Sequence, residues 1–458
     1  MTRPCRPGTA LTLIAACGSL LCTNATARAE RPEAVTLELT EAMQTALRDN
    51  PTLGAARTRI QQAQARLGQA RAAYWPRIGA ALSYTQIDPA EMTAPGAFQP
   101  LTRTDAYNAG LDAEWVLFDG LSRRFKASAA QFGSAASHRA ELEARRQLLA
   151  AVGNAYFAAQ LARENITIAE ADQAFNTRLL DEARQRRRAG TGSVSDVLNF
   201  EIRVSRAKAA LVRARGRLEV NRSVLASLIA IEDSRLPQDR HLAPLQPETD
   251  TEMQPVDATA QLAAARKLRP DLLAAADEVE RTTASVGAAR GSFLPRINLV
   301  ASVEGYRQDD ANFRSEDFGS RVGGVIRYDF LEGGLRRAQV GEAKAIMREA
   351  EFMQERLALD VASDVHQAVT DLAQSQEELR LQRQTVELVR RNRDLVEKEY
   401  RAGNLSLVRL NEAQRDYVQA EGRRSLAHIA LRVAWINLDA ATGRIVARFA
   451  PVDAMPQE

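Results

Sequence analysis

The chain has 458 residues, of which 61 are Lys or Arg and 58 are Asp or Glu, with three cysteines and four histidines. That length allows one large or two ordinary domains, and the near balance of charge excludes the basic footprint of a nucleic-acid binder. Cys5, Cys17 and Cys22 all lie close to the start, so no disulfide framework can staple the rest of the chain.

In chain order, the first segment reads as a targeting signal. Arg3 and Arg6 make a basic start, Leu11 to Cys22 is mostly apolar, and Ala27-Arg28-Ala29 supplies an A-x-A site before Glu30. This predicts a secretory signal peptide over residues 1–29, cleaved after Ala29. Ile14-Ala15-Ala16-Cys17 also resembles a lipobox, which would place a lipid on Cys17; the apolar run continuing through Leu20 and Leu21 favours Ala29. Removing 1–29 takes away Arg3, Arg6 and Arg28 and no acid, leaving 58 bases against 58 acids. The most apolar later stretch, Leu148 to Ala162, contains Asn154 and Gln160 and is too short to span a bilayer as a helix. Passage through a membrane would require a β-barrel.

The sixteen prolines leave two gaps, Pro100 to Pro237 and Pro295 to Pro451, both rich in Ala, Leu, Arg, Glu and Gln. Such segments favour long helices. The chain also repeats itself. Asn50-Pro51-Thr52-Leu53 recurs as Arg269-Pro270-Asp271-Leu272, and Pro76-Arg77-Ile78 recurs as Pro295-Arg296-Ile297, both shifted by 219. Asp119-Gly120 with Arg123-Arg124 recurs as Glu332-Gly333 with Arg336-Arg337, and Arg188-Ala189-Gly190 as Arg401-Ala402-Gly403, both shifted by 213. The second copy has therefore lost six residues between Pro295 and Glu332, which suggests a surface loop.

The segments flanking that loop alternate. Ile78 to Tyr84, Ala109 to Leu117 and Ile297 to Val303 place apolar residues at every second position, and Val322, Ile326, Tyr328 and Phe330 keep the same phase, which predicts strands. One apolar and one charged face suit a membrane barrel with lipid outside and water inside. Asp112, Glu114, Glu304, Arg327 and Asp329 are then expected to line the lumen. Tyr74, Trp75, Trp115, Phe118, Phe293, Tyr328 and Phe330 cluster at the helix-proximal strand ends, like an interfacial girdle. Two hairpins supply only four strands, fewer than the roughly eight of the smallest membrane barrels, so several copies must share one barrel.

The domain plan follows. The first repeat covers 30–235, with a helix, a β-hairpin over 76–118, a long helix over 121–189 and a returning helix over 193–230. A Pro-rich linker covers 236–257. The second repeat covers 258–445, with a hairpin over 295–332, a long helix over 334–402 and a returning helix over 406–441; a tail without pattern covers 446–458. Gly190 and Gly403 suit left-handed helix ends, and Ser193 and Ser406 suit the N-caps of the returning helices.

Leu37-Glu38-Leu39-Thr40-Glu41-Ala42, Asn50-Pro51, Pro76-Arg77-Ile78, Leu117-Phe118-Asp119-Gly120, Arg188-Ala189-Gly190 and Asp196-Val197-Leu198, in this order and duplicated, resemble the TolC outer-membrane efflux family. The resemblance spans roughly Val35 to Ile445. It implies an α+β membrane protein: a homotrimer whose long α-helices form an α-helical barrel and whose four β-strands per protomer join a shared 12-stranded transmembrane β-barrel. The location implied is the outer membrane of a Gram-negative bacterium, extending into the periplasm. The partners implied are outer-membrane lipid, a periplasmic adaptor (membrane fusion) protein and an inner-membrane pump of RND, ABC or MFS type. The adaptor would meet the hairpin tips, Ala189-Gly190-Thr191 and Ala402-Gly403-Asn404. Asp196 and Tyr400 match a linked pair that holds such tunnels shut. Arg409 and Glu412 fall where two acids ring the closed aperture, Arg409 inverting the charge, and Leu405 replaces a basic latch residue.

No enzyme constellation emerges. Gly190-Thr191-Gly192-Ser193 follows a helix and lacks the lysine of a phosphate loop. His138, His241, His366 and His428 are scattered, so neither a metal cluster, a triad nor a cofactor site is expected. The sequence therefore predicts a passive conduit for efflux or type I secretion; a soluble periplasmic coiled-coil scaffold is the alternative.

Overall fold

The computed structural model describes residues 36–87, 103–237 and 239–449. The signal segment, with Ala29 and Cys17, and the connection within the first hairpin lie outside the described residues. The described chain opens with β1 (Thr36–Leu37), α1 (Leu39–Asp49) and α2 (Pro51–Ala72). A hairpin follows, β2 (Arg77–Ile87) and β3 (Thr104–Phe118), then α3 (Ser122–Arg188) and α4 (Val194–Leu228). β4 (His241–Leu242) lies in the connecting stretch. Next come α5 (Ala258–Leu268), α6 (Pro270–Gly291), β5 (Arg296–Gln308), β6 (Phe318–Arg327), α7 (Leu335–Arg401) and α8 (Leu407–Ala441). The short α9 (Arg444–Phe449) closes the described chain.

Helices α1 and α5 both have 11 residues, α2 and α6 22, α3 and α7 67, and α4 and α8 35. At about 1.5 Å per residue, α3 and α7 each extend roughly 100 Å. Each is one residue shorter at both ends than the sequence suggests. Leu121 (φ 67°) and Gly334 (φ 89°) are left-handed N-caps, and Ala189 and Ala402 are C-caps.

Helices this long need lateral partners in water. α3 packs along α4, α2, α6 and α8, and α7 along α8 and α6. Three apolar clusters hold them. One joins Leu37, Met43, Leu149, Val152, Leu225 and Ile436. A second centres on Val365, Leu372 and Leu431. The third lies near the hairpin ends, around Phe175, Leu179, Phe200 and Leu410.

The Pro-rich linker is a strap against these helices. Its β4 pairs in parallel with β1. A stretch with few amide partners of its own leaves carbonyls to be satisfied. Gln160 donates to the Ala243 carbonyl at 2.9 Å, and Arg163 to that of Leu242. Gln376 donates to the carbonyls of Glu252 and Gln254 at 2.8 and 2.9 Å, and Arg432 to Gln246 and Pro247 at 3.0 Å.

Two expectations need correction. Residues 446–449 are not patternless tail: they finish α9, anchored by the buried Ile445 and Phe449. A six-residue helix is too short to display a hydrophobic period. The fourth strand does not reach Phe330. It ends at Arg327, because β5 begins at Arg296 and that residue is the last partner. Tyr328, Asp329 and Phe330 therefore lie past the strand.

Candidate functional site: an amphipathic sheet and two helical hairpin ends

The four longer strands form one antiparallel sheet in the order β2-β3-β5-β6. They have 11, 15, 13 and 10 residues, each long enough to cross the hydrocarbon layer when tilted. Directly paired residues share a face, as do residues two apart along a strand. The register thus puts Arg77, Asp112, Glu114, Asn108, Ser302, Glu304, Arg321 and Arg327 on one face. Ile78, Leu82, Leu111, Leu299, Val303, Val322 and Ile326 share the other. Of the expected lumen set, Asp112, Glu114, Glu304 and Arg327 lie together on the polar face, and Asp329 lies beyond it.

The apolar face is open. Leu82 is 85 % exposed and Val322 75 %. A contiguous exposed apolar face on a folded chain marks contact with a membrane or a partner. Aromatic residues also gather at the end of the sheet away from the helices, a level the sequence reading missed. The Tyr84 and Tyr107 rings lie 5.1 Å apart, and those of Phe313 and Phe318 5.6 Å apart. From Tyr107 to Trp115 is eight residues, roughly 26 Å of strand. That is close to the apolar band of a membrane barrel, about 25 Å tall. The signal was available in Tyr84 and Tyr107, which sit on the apolar phase of their strands.

Two matched arginines turn the sheet into the long helices. Arg123 donates to the carbonyls of Ala73 and Leu117 at 3.2 and 3.1 Å, lies 5.1 Å over the Tyr74 ring and pairs with Asp119 at 3.3 Å. Arg336 donates to the Asp329 carbonyl at 2.6 Å, lies 5.2 Å over the Tyr328 ring and pairs with Glu332 at 2.7 Å. The duplicated acid-Gly-x-x-Arg motif thus marks a structural corner. Gly120 (φ 68°) lies so close to Gly291 that a Cβ would meet its carbonyl oxygen at 2.1 Å.

The far ends of α3 and α7 close with the same motif. The Gly190 N–H donates to Arg187 and the Thr191 N–H to Arg186, at 3.1 and 3.0 Å. The Gly403 N–H donates to Tyr400 and the Asn404 N–H to Glu399, both at 3.0 Å. This is the Schellman pattern, with glycine at the left-handed position, φ 76° and 83°. Ser193 caps α4 by accepting from the Ser195 N–H at 3.1 Å; Ser406 occupies the same position on α8 without a side-chain cap bond.

Near these ends, charges tie α3 to α7. Arg178 pairs with Glu397 at 2.7 Å, Arg401 with Glu182 at 3.0 Å, and Arg401 also with Glu397 at 2.9 Å. Of these four, only Arg401 stands out in the sequence, as part of the repeated Arg-Ala-Gly; pairs between distant helices leave no local spacing to read. Arg186 lies 5.5 Å over the Tyr400 ring. Burial and then the charge of Asp196 raise the Tyr400 hydroxyl pKa. Asp196 and Tyr400 share no hydrogen bond among the described residues. Arg409 and Glu412 pair within the chain at 3.5 Å.

The sequence profile of the family described as outer membrane efflux protein matches residues 42–230 and 261–444. The chain belongs to the outer membrane efflux protein family. As such it is an outer-membrane channel, and the gap in the match coincides with the strap between the two halves. This efflux protein is 28 % identical over 415 residues to protein CyaE of Bordetella pertussis, covering 89 % of this chain and 84 % of the relative. It is 24 % identical over 417 residues to the pyoverdine export outer membrane protein OpmQ of Pseudomonas aeruginosa, covering 89 % and 85 %. Its fold is shared by the outer membrane protein VceC of Vibrio cholerae, with TM-score 0.75 at 19 % identity over 88 % of this chain and 96 % of that one.

Proposed function

We propose that three copies of this efflux protein form one continuous tunnel, which passively conducts cargo from an inner-membrane pump across the periplasm and outer membrane. The observation that carries this reading is the four-stranded sheet: one face exposed and apolar, the other charged, and every strand running toward a long helix bundle. Among the described residues β2 and β6 each have a single partner strand. An open edge in lipid would leave amide groups unsatisfied, so other copies must supply the missing neighbours. Three copies give twelve strands, the number implied by the family resemblance. The equal helix lengths of the two halves support a duplicated unit.

The helices support the same assembly. Along α7, Leu381, Leu388 and Leu395 recur every seven residues and are 46, 66 and 57 % exposed. They lie off the seam that packs inside the chain through Val365, Leu372 and Leu379. A helix with a second, unpartnered apolar seam suits a lateral neighbour. At the far ends, Ala189-Gly190-Thr191 and Ala402-Gly403-Asn404 would meet the periplasmic adaptor, with a pump of RND, ABC or MFS type beyond it. Asp196, Tyr400, Arg409 and Glu412 surround the aperture in this reading, and Asp112, Glu114, Glu304 and Arg327 line the barrel. Efflux and type I secretion both fit the conduit.

The test is density fractionation of cell envelopes followed by reconstitution of the purified protein in planar bilayers. The reading expects outer-membrane sedimentation and discrete conductance steps. Recovery only from the soluble periplasm would instead support a coiled-coil scaffold.

A further inference from the structure

Where the polar face of the sheet meets the helices lies a concave space of about 1130 Å³. Seven basic and four acidic side chains line it, an excess of three positive charges per copy. Two of the bases are neutralised locally, Arg123 by Asp119 and Arg336 by Glu332. Glu114 accepts from the Asn298 amide at 2.7 Å and stands directly opposite Arg77 in the β2–β3 pair, so its carboxylate offsets part of that charge without an ion-pair contact. Arg66, Arg77, Lys126, Arg296 and Arg327 are exposed and have no side-chain hydrogen bond or ion pair among the described residues. Against them stands the carboxylate of Asp329, also unpaired there.

The strand register sharpens this. Arg296 and Arg327 are directly opposite each other in the β5–β6 pair. Like charges at opposed positions destabilise a sheet, so the arrangement does nothing for folding. An anion lying between them would relieve the repulsion. The space is on the charged side of the sheet, away from the apolar face, so its anion comes from water rather than from lipid.

We propose that this junction is an anion-binding belt, which takes carboxylate- or phosphate-bearing solutes and gives the conduit a preference for anions at its waist. The inference rests on the tunnel reading: copies around one axis would join their concavities into a ring of unpaired arginines. A ring of one charge sign in a narrow channel raises the local concentration of the opposite ion.

The test is the reversal potential of the full-length protein in phosphatidylcholine bilayers under a KCl gradient. The wild type should reverse on the chloride side. Neutralising the belt in R77Q/R296Q/R327Q should lower the chloride-to-potassium permeability ratio at least about twofold. The charge-keeping R77K/R296K/R327K should hold the wild-type ratio, which separates charge from folding. Inorganic pyrophosphate should block wild-type current more strongly than Gln-variant current. A conducting protein whose reversal potential is the same in all three forms overturns the belt and leaves the conduit standing. Protein recovered only from the soluble periplasm, and absent from the outer membrane, overturns both.

Discussion

The side-chain amide of Asn50 donates to the carbonyl of Leu228 at 2.8 Å, tying the start of α2 to the end of α4 across 178 residues. The same side chain accepts from the Thr52 N–H at 2.8 Å, so it also caps α2. In the second half, Arg269 before Pro270 takes this place. Its guanidinium reaches the carbonyl of Ala441, at the end of α8, at 3.4 Å. The guanidinium is only 5 % exposed and pairs with Asp271 and Asp364 at 2.7 and 2.8 Å. Asn50→Ala removes one cap and one buried tie, and should cost about 1–2 kcal/mol. Arg269→Ala strands a partly buried carboxylate and should cost about 3 kcal/mol. Thermal melts of both variants in detergent should rank Arg269→Ala as the more damaging.

Asp271 adds a pH dependence. Burial alone would raise its pKa, but the hydrogen bond and charge of Arg269 outweigh that and hold it below the ordinary value. A carboxyl with a lower pKa in the folded state contributes fully above its unfolded pKa, about 3.9. That contribution is lost as pH falls through the folded pKa. Melting temperature should therefore drop as pH is lowered from about 5 toward 3. Asp271→Asn should flatten that acid-side slope, and an unchanged slope would show that Asp271 carries no weight there.

The exposed seam on α7 predicts an assembly defect. In Leu381→Glu/Leu388→Glu, two carboxylates would enter a contact between copies. Mass photometry of the extracted protein should show monomers replacing the larger species, while far-ultraviolet circular dichroism keeps its helical signal. A seam that faces only water would leave the particle mass unaltered.

At the hairpin ends, the ties from Arg178 and Glu182 to Glu397 and Arg401 hold the two halves together. Removing both acids, in Glu182→Gln/Glu397→Gln, should raise single-channel conductance, because the ends of α3 and α7 are then free to separate. Arg409→Glu should act in the same direction. It replaces the 3.5 Å pair with Glu412 by like charges and should increase leak current. Equal conductance in wild type and both variants would remove these residues from any gating role.

Much of this architecture was legible from sequence. Proline-free stretches bounded by Gly190 and Gly403 placed the long helices within one residue at each end, since glycine in a left-handed cap is a strong local signal. Strict alternation from Ile78 to Tyr84 showed which face of the sheet is apolar. What stayed hidden depends on distant pairing. The end of β6 at Arg327 is set by where β5 begins, not by the residues of β6. The repulsion between Arg296 and Arg327 exists only once the register is known, and Glu182 meets Arg401 across two separate helices. The repeat itself was plain from Asn50-Pro51 and Arg269-Pro270, yet their shared reach to the ends of α4 and α8 appeared only in the fold.

The shared barrel and tunnel are tested most directly by electron microscopy of the protein extracted from outer membranes in detergent. A trimeric tunnel requires a three-fold particle with a short barrel and a hollow helical stalk, each strand-bearing end continuing into α3 or α7. A stalk without a barrel, or a single chain whose four strands close on themselves, would contradict it.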